Sequence, residues 1–197
     1  MLLPRKFYAR EDTAKIAREL LGKLLVVSSP EGRVSGMIVE TEAYLGAIDR
    51  AAHSYGGRRT TRNEVMYGEP GFAYVFFVYG MYNQFNCVTG AVGTPHAILI
   101  RAVEPVEGVE LMQKRRPKAR KPADLTSGPG KLCIAMGIDR SFNGEDLAGS
   151  IVFIEKYRTV PAASITCGKR IGIDYAGEDA KLPLRFWVAG NAFVSRK

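Results

Sequence analysis

Residues 33–45, R-V-S-G-M-I-V-E-T-E-A-Y-L, read as one long β-strand. Side chains of a strand point to alternate faces. Strict alternation puts Ile38, Glu40, Glu42 and Tyr44 on one face and Met37, Val39, Thr41 and Ala43 on the other. Residues 23–28 form a shorter strand before it, joined by the turn Ser29-Pro30-Glu31-Gly32. Residues 11–21 read as a helix, because Ile16 and Leu20 are four apart, as are Ala17 and Leu21, and Gly22 stops it. Beyond the long strand, residues 46–71 have no periodicity and carry Gly56-Gly57 and Pro70-Gly71. An irregular segment of that length inside a domain is a candidate for function.

Residues 72–79 (F-A-Y-V-F-F-V-Y) form an aromatic strand, Gly80-Met81-Tyr82-Asn83 turn the chain, and residues 84–89 return it as a hairpin. Residues 96–103 are a further strand, a helix is predicted from Pro105 to about Arg115, and a short helix follows Ser127-Gly128-Pro129-Gly130. Residues 151–155, 170–173 and 184–189 read as short strands. Many strands and few helices predict an α+β fold with a mostly antiparallel sheet. Residues 1–197 are expected to form a single domain, with the basic stretch 114–122 as the only candidate linker.

Of the 197 residues, 46% are hydrophobic and 24% charged, which excludes a wholly disordered chain. Lys and Arg number 28 against 20 Asp and Glu, so the net charge of +8 favours an acidic partner, a polyanion above a small acid. A structural zinc site would need four ligands from a small, widely spaced pool of three cysteines (Cys87, Cys133, Cys167) and two histidines (His53, His96) with no C-x-x-C pair, so none is expected. Reduced thiols and a start without a signal-peptide pattern lead us to expect a cytoplasmic protein. The most apolar stretch, 72–79, is too short to span a bilayer.

Four features bear on chemistry. Residues 114–121 hold six basic side chains and no acid, and residues 50–63 hold Arg50, Arg58, Arg59 and Arg62, also without an acid. Each is either a solvated loop or a grip for phosphate, and the second mixes its arginines with Ser54, Thr60, Thr61 and Asn63, which bond phosphate oxygens. The hairpin tip carries Tyr79, Met81 and Tyr82 where polar residues are usual. They either fold back on the core or form a wedge for a stack of bases. Glu42 beside Tyr44 is either a solvated acid on a half-exposed strand or a carboxylate in a pocket, able to take a proton from water beside a face that attracts a flat or cationic ring. Gly128-Pro129-Gly130-Lys131 fails the Walker pattern, since Leu125 and Leu132 occupy its first glycine and its Ser/Thr position.

The segment 38–63, I-V-E-T-E-A-Y-L-G-A-I-D-R-A-A-H-S-Y-G-G-R-R-T-T-R-N, closely resembles the alkyladenine (3-methylpurine) DNA glycosylase family. So do 79–86 (Y-G-M-Y-N-Q-F-N), 98–105 (I-L-I-R-A-V-E-P), 126–133 (T-S-G-P-G-K-L-C) and 183–187 (P-L-R-F-W), in the same order. The resemblance implies a curved antiparallel sheet with a protruding hairpin, and an enzyme that removes alkylated or deaminated purines from duplex DNA. It implies that Glu42 is the general base, that Arg101 helps hold the nucleophilic water, and that a backbone carbonyl at Ile171 touches that water. Tyr44, His53, Phe76, Asn86 and Leu99 would line the pocket for the flipped base. Phe76 stands where relatives often carry tyrosine, and Asn86 would crowd a guanine amino group. Tyr79 would intercalate with Met81 beside it, while Arg58, Thr60, Tyr82 and Lys131 would contact the DNA backbone.

By that resemblance the hairpin tip is expected to be exposed and Glu42 to sit in a cleft, ionised with help from Arg101. With no lysine at the catalytic positions, a water nucleophile and no lyase step are expected. No cofactor, metal or membrane is expected, and a monomer suffices to scan DNA. A non-catalytic DNA- or RNA-binding module of the same fold and a hydrolase of free nucleosides are the rival readings. The arginine-rich loop and the aromatic tip count against the second, since a small substrate needs neither.

Overall fold

Residues 32–44 form the spine of a curled antiparallel sheet. A computed structural model of the chain describes residues 1–78 and 80–195. Among these, eight strands join one sheet: β1 (Leu24–Ser29), β2 (Gly32–Tyr44), β3 (Ala73–Val78), β4 (Tyr82–Thr89), β5 (His96–Glu107), β6 (Val152–Glu155), β7 (Ile165–Gly168) and β8 (Arg185–Val188). Their order is β3-β4-β5-β2-β1-β6, and β8 pairs with both β2 and β7. On one edge β2 runs beside β5. On the other it pairs first with β1, through Met37, and then with β8 at Glu40, Thr41 and Glu42. The helices α1 (Arg5–Tyr8), α2 (Thr13–Leu20), α3 (Val109–Arg115) and α4 (Pro129–Met136) accompany the sheet, and the fold is α+β as expected.

Where β2 changes partner, its register against β5 slips twice. Ile38 faces Val103 and Glu40 faces Ala102, which leaves Val39 as an extra residue; Thr41 then faces Ile100, which leaves Arg101 extra on β5. Such bulges bend a strand and re-aim its side chains. Strict alternation is therefore overturned here. Ile38 joins Ala43 in the main core, while Met37 and Val39 pack with Ala102 and Val194 in a separate cluster. Thr41 donates its hydroxyl to the Ala17 carbonyl of α2. Glu40 and Glu42 are both fully buried, so neither is a solvated strand acid.

α2 follows from its sequence. Asp12 caps it by accepting from the Lys15 amide at 2.8 Å, worth about 1 kcal/mol. Ile16, Ala17 and Leu20 are buried with no exposure, each large side chain contributing roughly 1.5–3 kcal/mol.

Two predicted elements change. The helix predicted from Pro105 begins instead at Val109, because β5 continues through Glu107. Pro105 faces Gly36 next to a register slip, the kind of irregular position where a strand tolerates a residue without an N–H. Gly108, at φ +71, makes the turn into α3, where a Cβ would lie 2.5 Å from the Arg33 carbonyl oxygen. Residues 170–173 form no strand; the short strand lies at Ile165–Gly168. Polar groups of Arg170 and Ile171 bond to side chains of the site instead. No helix among the described residues is long and apolar enough to cross a membrane.

Candidate active site

The sheet's curl, the irregular segment 46–71 and the loop after β7 enclose a cavity of about 330 Å³, at the small end of the range for pockets that hold one organic ligand. Tyr44, His53, Phe76, Asn86, Leu99 and Arg101 all line it, so six candidate residues from β2, the irregular segment, β3, β4 and β5 meet on one space. Leu99 stands opposite Asn86 on β4 and Glu42 on β2, which fixes the three together.

The expectation that Glu42 sits in a cleft is corrected: it does not line that wall but is fully buried behind residues that do. Three groups hold its carboxylate, and each belongs to a residue that lines the cavity. The Ile171 amide donates to Oε1 at 2.8 Å, the Tyr44 hydroxyl donates to Oε2 at 2.9 Å, and Arg101 Nη1 lies 3.3 Å from Oε1. The Ile171 N–H thus meets the carboxylate itself, a contact separate from the one between its carbonyl and the water that the resemblance implied. Burial pushes the Glu42 carboxyl above the usual carboxylate range, against the pull of Arg101, the Ile171 amide and the Tyr44 hydroxyl. Arg101 favours the charged form, as expected, but removing the carboxylate from water outweighs the cation. Burial, and next the charge of Glu42, also keep the Tyr44 phenol protonated, so it serves as a donor.

The apolar side of the cavity is aromatic. The His53 ring meets Phe76 edge-on at 4.5 Å between centroids, and His53 Nδ1 shares a 2.8 Å hydrogen bond with the Tyr74 hydroxyl. Burial, reinforced by Arg62 and Arg58, lowers the His53 pKa to about 4, so the imidazole is neutral near pH 7. Arg62 lies over the Phe76 ring at 4.9 Å. Asn86 is fixed by an Nδ2 bond to the Tyr74 carbonyl at 3.0 Å.

A second cavity adjoins the first and shares Ala52, His53, Arg62 and Tyr175 with it. Arg50, Arg58 and Thr60 also line it, a cationic wall of the kind that suits a phosphate. At the hairpin tip Met81 is 64% exposed and Tyr82 is 38% exposed, so the tip does not fold back on the core. Tyr82 lies against Gly130 in the first turn of α4, beside Lys131. Tyr79, the candidate wedge, lies outside the described residues.

Sequence reasoning missed several members of the site. Glu40 accepts from Arg101 Nε at 3.0 Å, Arg185 Nε at 2.7 Å and the Ser195 amide at 2.7 Å. Asp49 and Arg170 form a buried pair that braces Tyr44, whose ring lies 4.7 Å from the Arg170 guanidinium carbon. Tyr74 and Arg62 complete the aromatic side. Glu40, Asp49 and Arg62 stand in the quoted segment 38–63 and Arg185 in P-L-R-F-W, but Glu40, Asp49 and Arg185 carry no assigned role there and Arg62 reads as a phosphate contact. Among the described residues no three His, Cys, Asp or Glu side chains gather as a metal-ligating group.

Comparison with known proteins agrees with this geometry. A sequence profile described as Methylpurine-DNA glycosylase (MPG) matches residues 6–192. A relative from Desulfitobacterium hafniense is 52% identical over 202 residues, covering 99% of this chain and 98% of its own. One from Methanocella arvoryzae is 52% identical over 197 residues, covering 100% and 96%, and one from Bacillus cereus is 48% identical over 207 residues, covering 100% of both. All three carry the provisional name 3-methyladenine DNA glycosylase. With a profile match over nearly its whole length and relatives at about half identity throughout, the chain belongs to the methylpurine-DNA glycosylase family of N-glycosyl hydrolases.

Proposed function

We propose that this chain excises alkylated or deaminated purines from duplex DNA, using a water activated by Glu42 to hydrolyse the N-glycosidic bond. The observation that carries this reading is the carboxylate of Glu42, held by Tyr44, Arg101 and Ile171, all three of which also line a cavity with aromatic walls. Relatives named for 3-methyladenine excision support the same substrate class.

The reaction begins with extrusion of the damaged nucleotide, at a cost of a few kcal/mol in stacking and pairing. The exposed tip with Met81 and Tyr82 fills the vacated space together with Tyr79, the wedge that the resemblance implies. Arg58, Thr60 and Lys131 grip phosphates and supply affinity that ignores sequence. A base methylated on the ring is cationic, and each aromatic face of the cavity favours it by about 0.5–2 kcal/mol. Neutral His53 adds no repulsion. Asn86, locked to the Tyr74 carbonyl, crowds any guanine 2-amino group; neutral guanine has nothing to offset that contact, whereas the cationic ring of 7-methylguanine gains from the aromatic faces and leaves readily.

Bond breaking leaves positive charge on the sugar, which an ionised Glu42 stabilises. Oε2 accepts one described hydrogen bond, from Tyr44, which leaves a lone pair for a water that enters from the cavity between Tyr44, Arg101 and Ile171, the lining residues that hold Glu42. Because burial raises its proton affinity, Glu42 is a stronger base than an ordinary surface carboxylate. No lysine lines the cavity among the described residues, so no amine attacks the sugar and the product is an intact abasic site. The protein acts as a monomer, with no cofactor.

The test is Glu42→Gln on an oligonucleotide with one 7-methylguanine. Excision slows by about 10²–10⁴-fold, while affinity for a duplex with an abasic-site analogue stays within a few-fold. Excision within threefold of the parent overturns the role of Glu42. A parent protein that binds the lesion duplex but releases no base is a binding module instead.

A further inference from the structure

Behind the general base lies a second buried carboxylate, and the two share one guanidinium. Arg101 gives its Nε to Glu40 Oε1 at 3.0 Å and turns Nη1 toward Glu42 Oε1 at 3.3 Å. Glu40 has no solvent exposure and lines neither of the two cavities. Its two oxygens accept from four donors: Arg101 Nε, Arg185 Nε, the Ser195 hydroxyl at 2.9 Å and the Ser195 amide at 2.7 Å. The Ser195 hydroxyl oxygen in turn accepts from Arg101 Nη2 at 3.4 Å. A residue near the C-terminus thus closes a ring around the guanidinium that faces the base.

We propose that Glu40 is a positioning residue for the reaction, anchoring Arg101 from behind and dividing that cation's charge between itself and Glu42. The inference rests on the reading of Glu42 as the general base. The chemistry needs such a division. A guanidinium committed wholly to Glu42 makes it a weak base, and an absent one leaves it protonated in its dry setting.

Every charged group facing Glu42 enters the argument. From β2 come Glu40 and the Tyr44 hydroxyl, from β5 comes Arg101, and from β8 comes Arg185, the cross-strand neighbour of Glu42. From the loop after β7 come Arg170, paired with Asp49, and the Ile171 amide. Glu40 and Glu42 face Arg101 and Arg185 two against two. Replacing Glu40 by a neutral residue leaves Glu42 alone with both cations and makes it more acidic.

The experiment is the pH dependence of single-turnover excision of 7-methylguanine by parent, Glu40→Gln and Ser195→Ala proteins. A cationic leaving base needs no proton from the enzyme, so the acid limb of this profile reports the general base. In Glu40→Gln the limb moves to lower pH by about one unit, and the plateau rate falls because the base is weaker. A structural role alone lowers the plateau and leaves the limb in place, and that result overturns the proposal. Glu40→Gln strands two buried guanidinium groups, and if it does not fold, Ser195→Ala decides. That variant removes one donor from Glu40, which then draws more of Arg101, so its limb moves to higher pH by a smaller amount. An unmoved limb, or one at lower pH, in Ser195→Ala overturns the proposal. Full activity in Glu42→Gln sinks the underlying reading instead, so the two failures are distinct.

Discussion

Replacing Asp49 by Asn changes one oxygen into an amide nitrogen and keeps the shape of the side chain. Asp49 is 2% exposed, and donors meet both of its oxygens. Oδ1 accepts from the Ala51 amide at 3.0 Å and Arg170 Nη2 at 2.8 Å; Oδ2 accepts from the Leu45 amide at 3.0 Å and Arg170 Nη1. Whichever way the asparagine turns, its NH₂ points at a backbone N–H and a guanidinium N–H. Breaking one partner of a buried pair costs about 3–5 kcal/mol. For a chain of this size that lowers the melting temperature by about 6–20 °C.

Thermal unfolding at pH 7, followed by circular dichroism, checks the size of the loss. A second signature lies in pH. Burial acts to raise the Asp49 pKa, but the Arg170 hydrogen bonds and the Leu45 and Ala51 amides outweigh it and hold it below the usual range. A depressed carboxyl contributes stability above its unfolded pKa, about 3.9, and that stability is lost as pH falls through the folded value. The gap between parent and Asp49→Asn therefore narrows below about pH 4. Excision slows as well, since Arg170 braces Tyr44 and precedes Ile171, both of which hold Glu42. A loss under about 1 kcal/mol at pH 7, or a gap unchanged into acid, refutes this account of the pair.

Three shorter tests address other parts of the site. An alanine Cβ at Gly130 would lie 2.8 Å from Tyr82 Cδ1, so Gly130→Ala displaces the ring. Duplex affinity then falls about 3–10-fold, while stability moves by no more than about 1 kcal/mol because alanine favours the helix; unchanged affinity removes Tyr82 from the DNA contact. Nuclear magnetic resonance of the imidazole should show His53 titrating near pH 4, since burial and the arginines oppose its charged form; a midpoint between 6 and 7 contradicts a neutral pocket wall. Arg58→Gln or Lys131→Gln should each make the salt dependence of duplex binding shallower, by about 1 in log–log slope; an unchanged slope means that side chain meets no phosphate.

Local sequence was enough for the elements whose cause is local. Alternation marked β2, the spacing of Ile16 and Leu20 marked α2, and glycine with aromatic runs marked the hairpin of β3 and β4. The resemblance marked six of the residues that line the main cavity: Tyr44, His53, Phe76, Asn86, Leu99 and Arg101. Tertiary structure decided the rest. The double register slip in β2 and β5 arises where β2 exchanges β1 for β8, and no pattern within residues 33–45 announces that exchange. It moved Ile38 to the core and left Glu40 among Arg101, Arg185 and Ser195, partners 61, 145 and 155 positions away. Asp49 and Arg170, 121 positions apart, are equally silent in sequence. Periodicity records which face of a strand is apolar; it does not record which distant charge will neutralise a buried carboxylate. That pairing exists only once the chain has closed, and here it sets the surroundings of the Glu42 carboxylate.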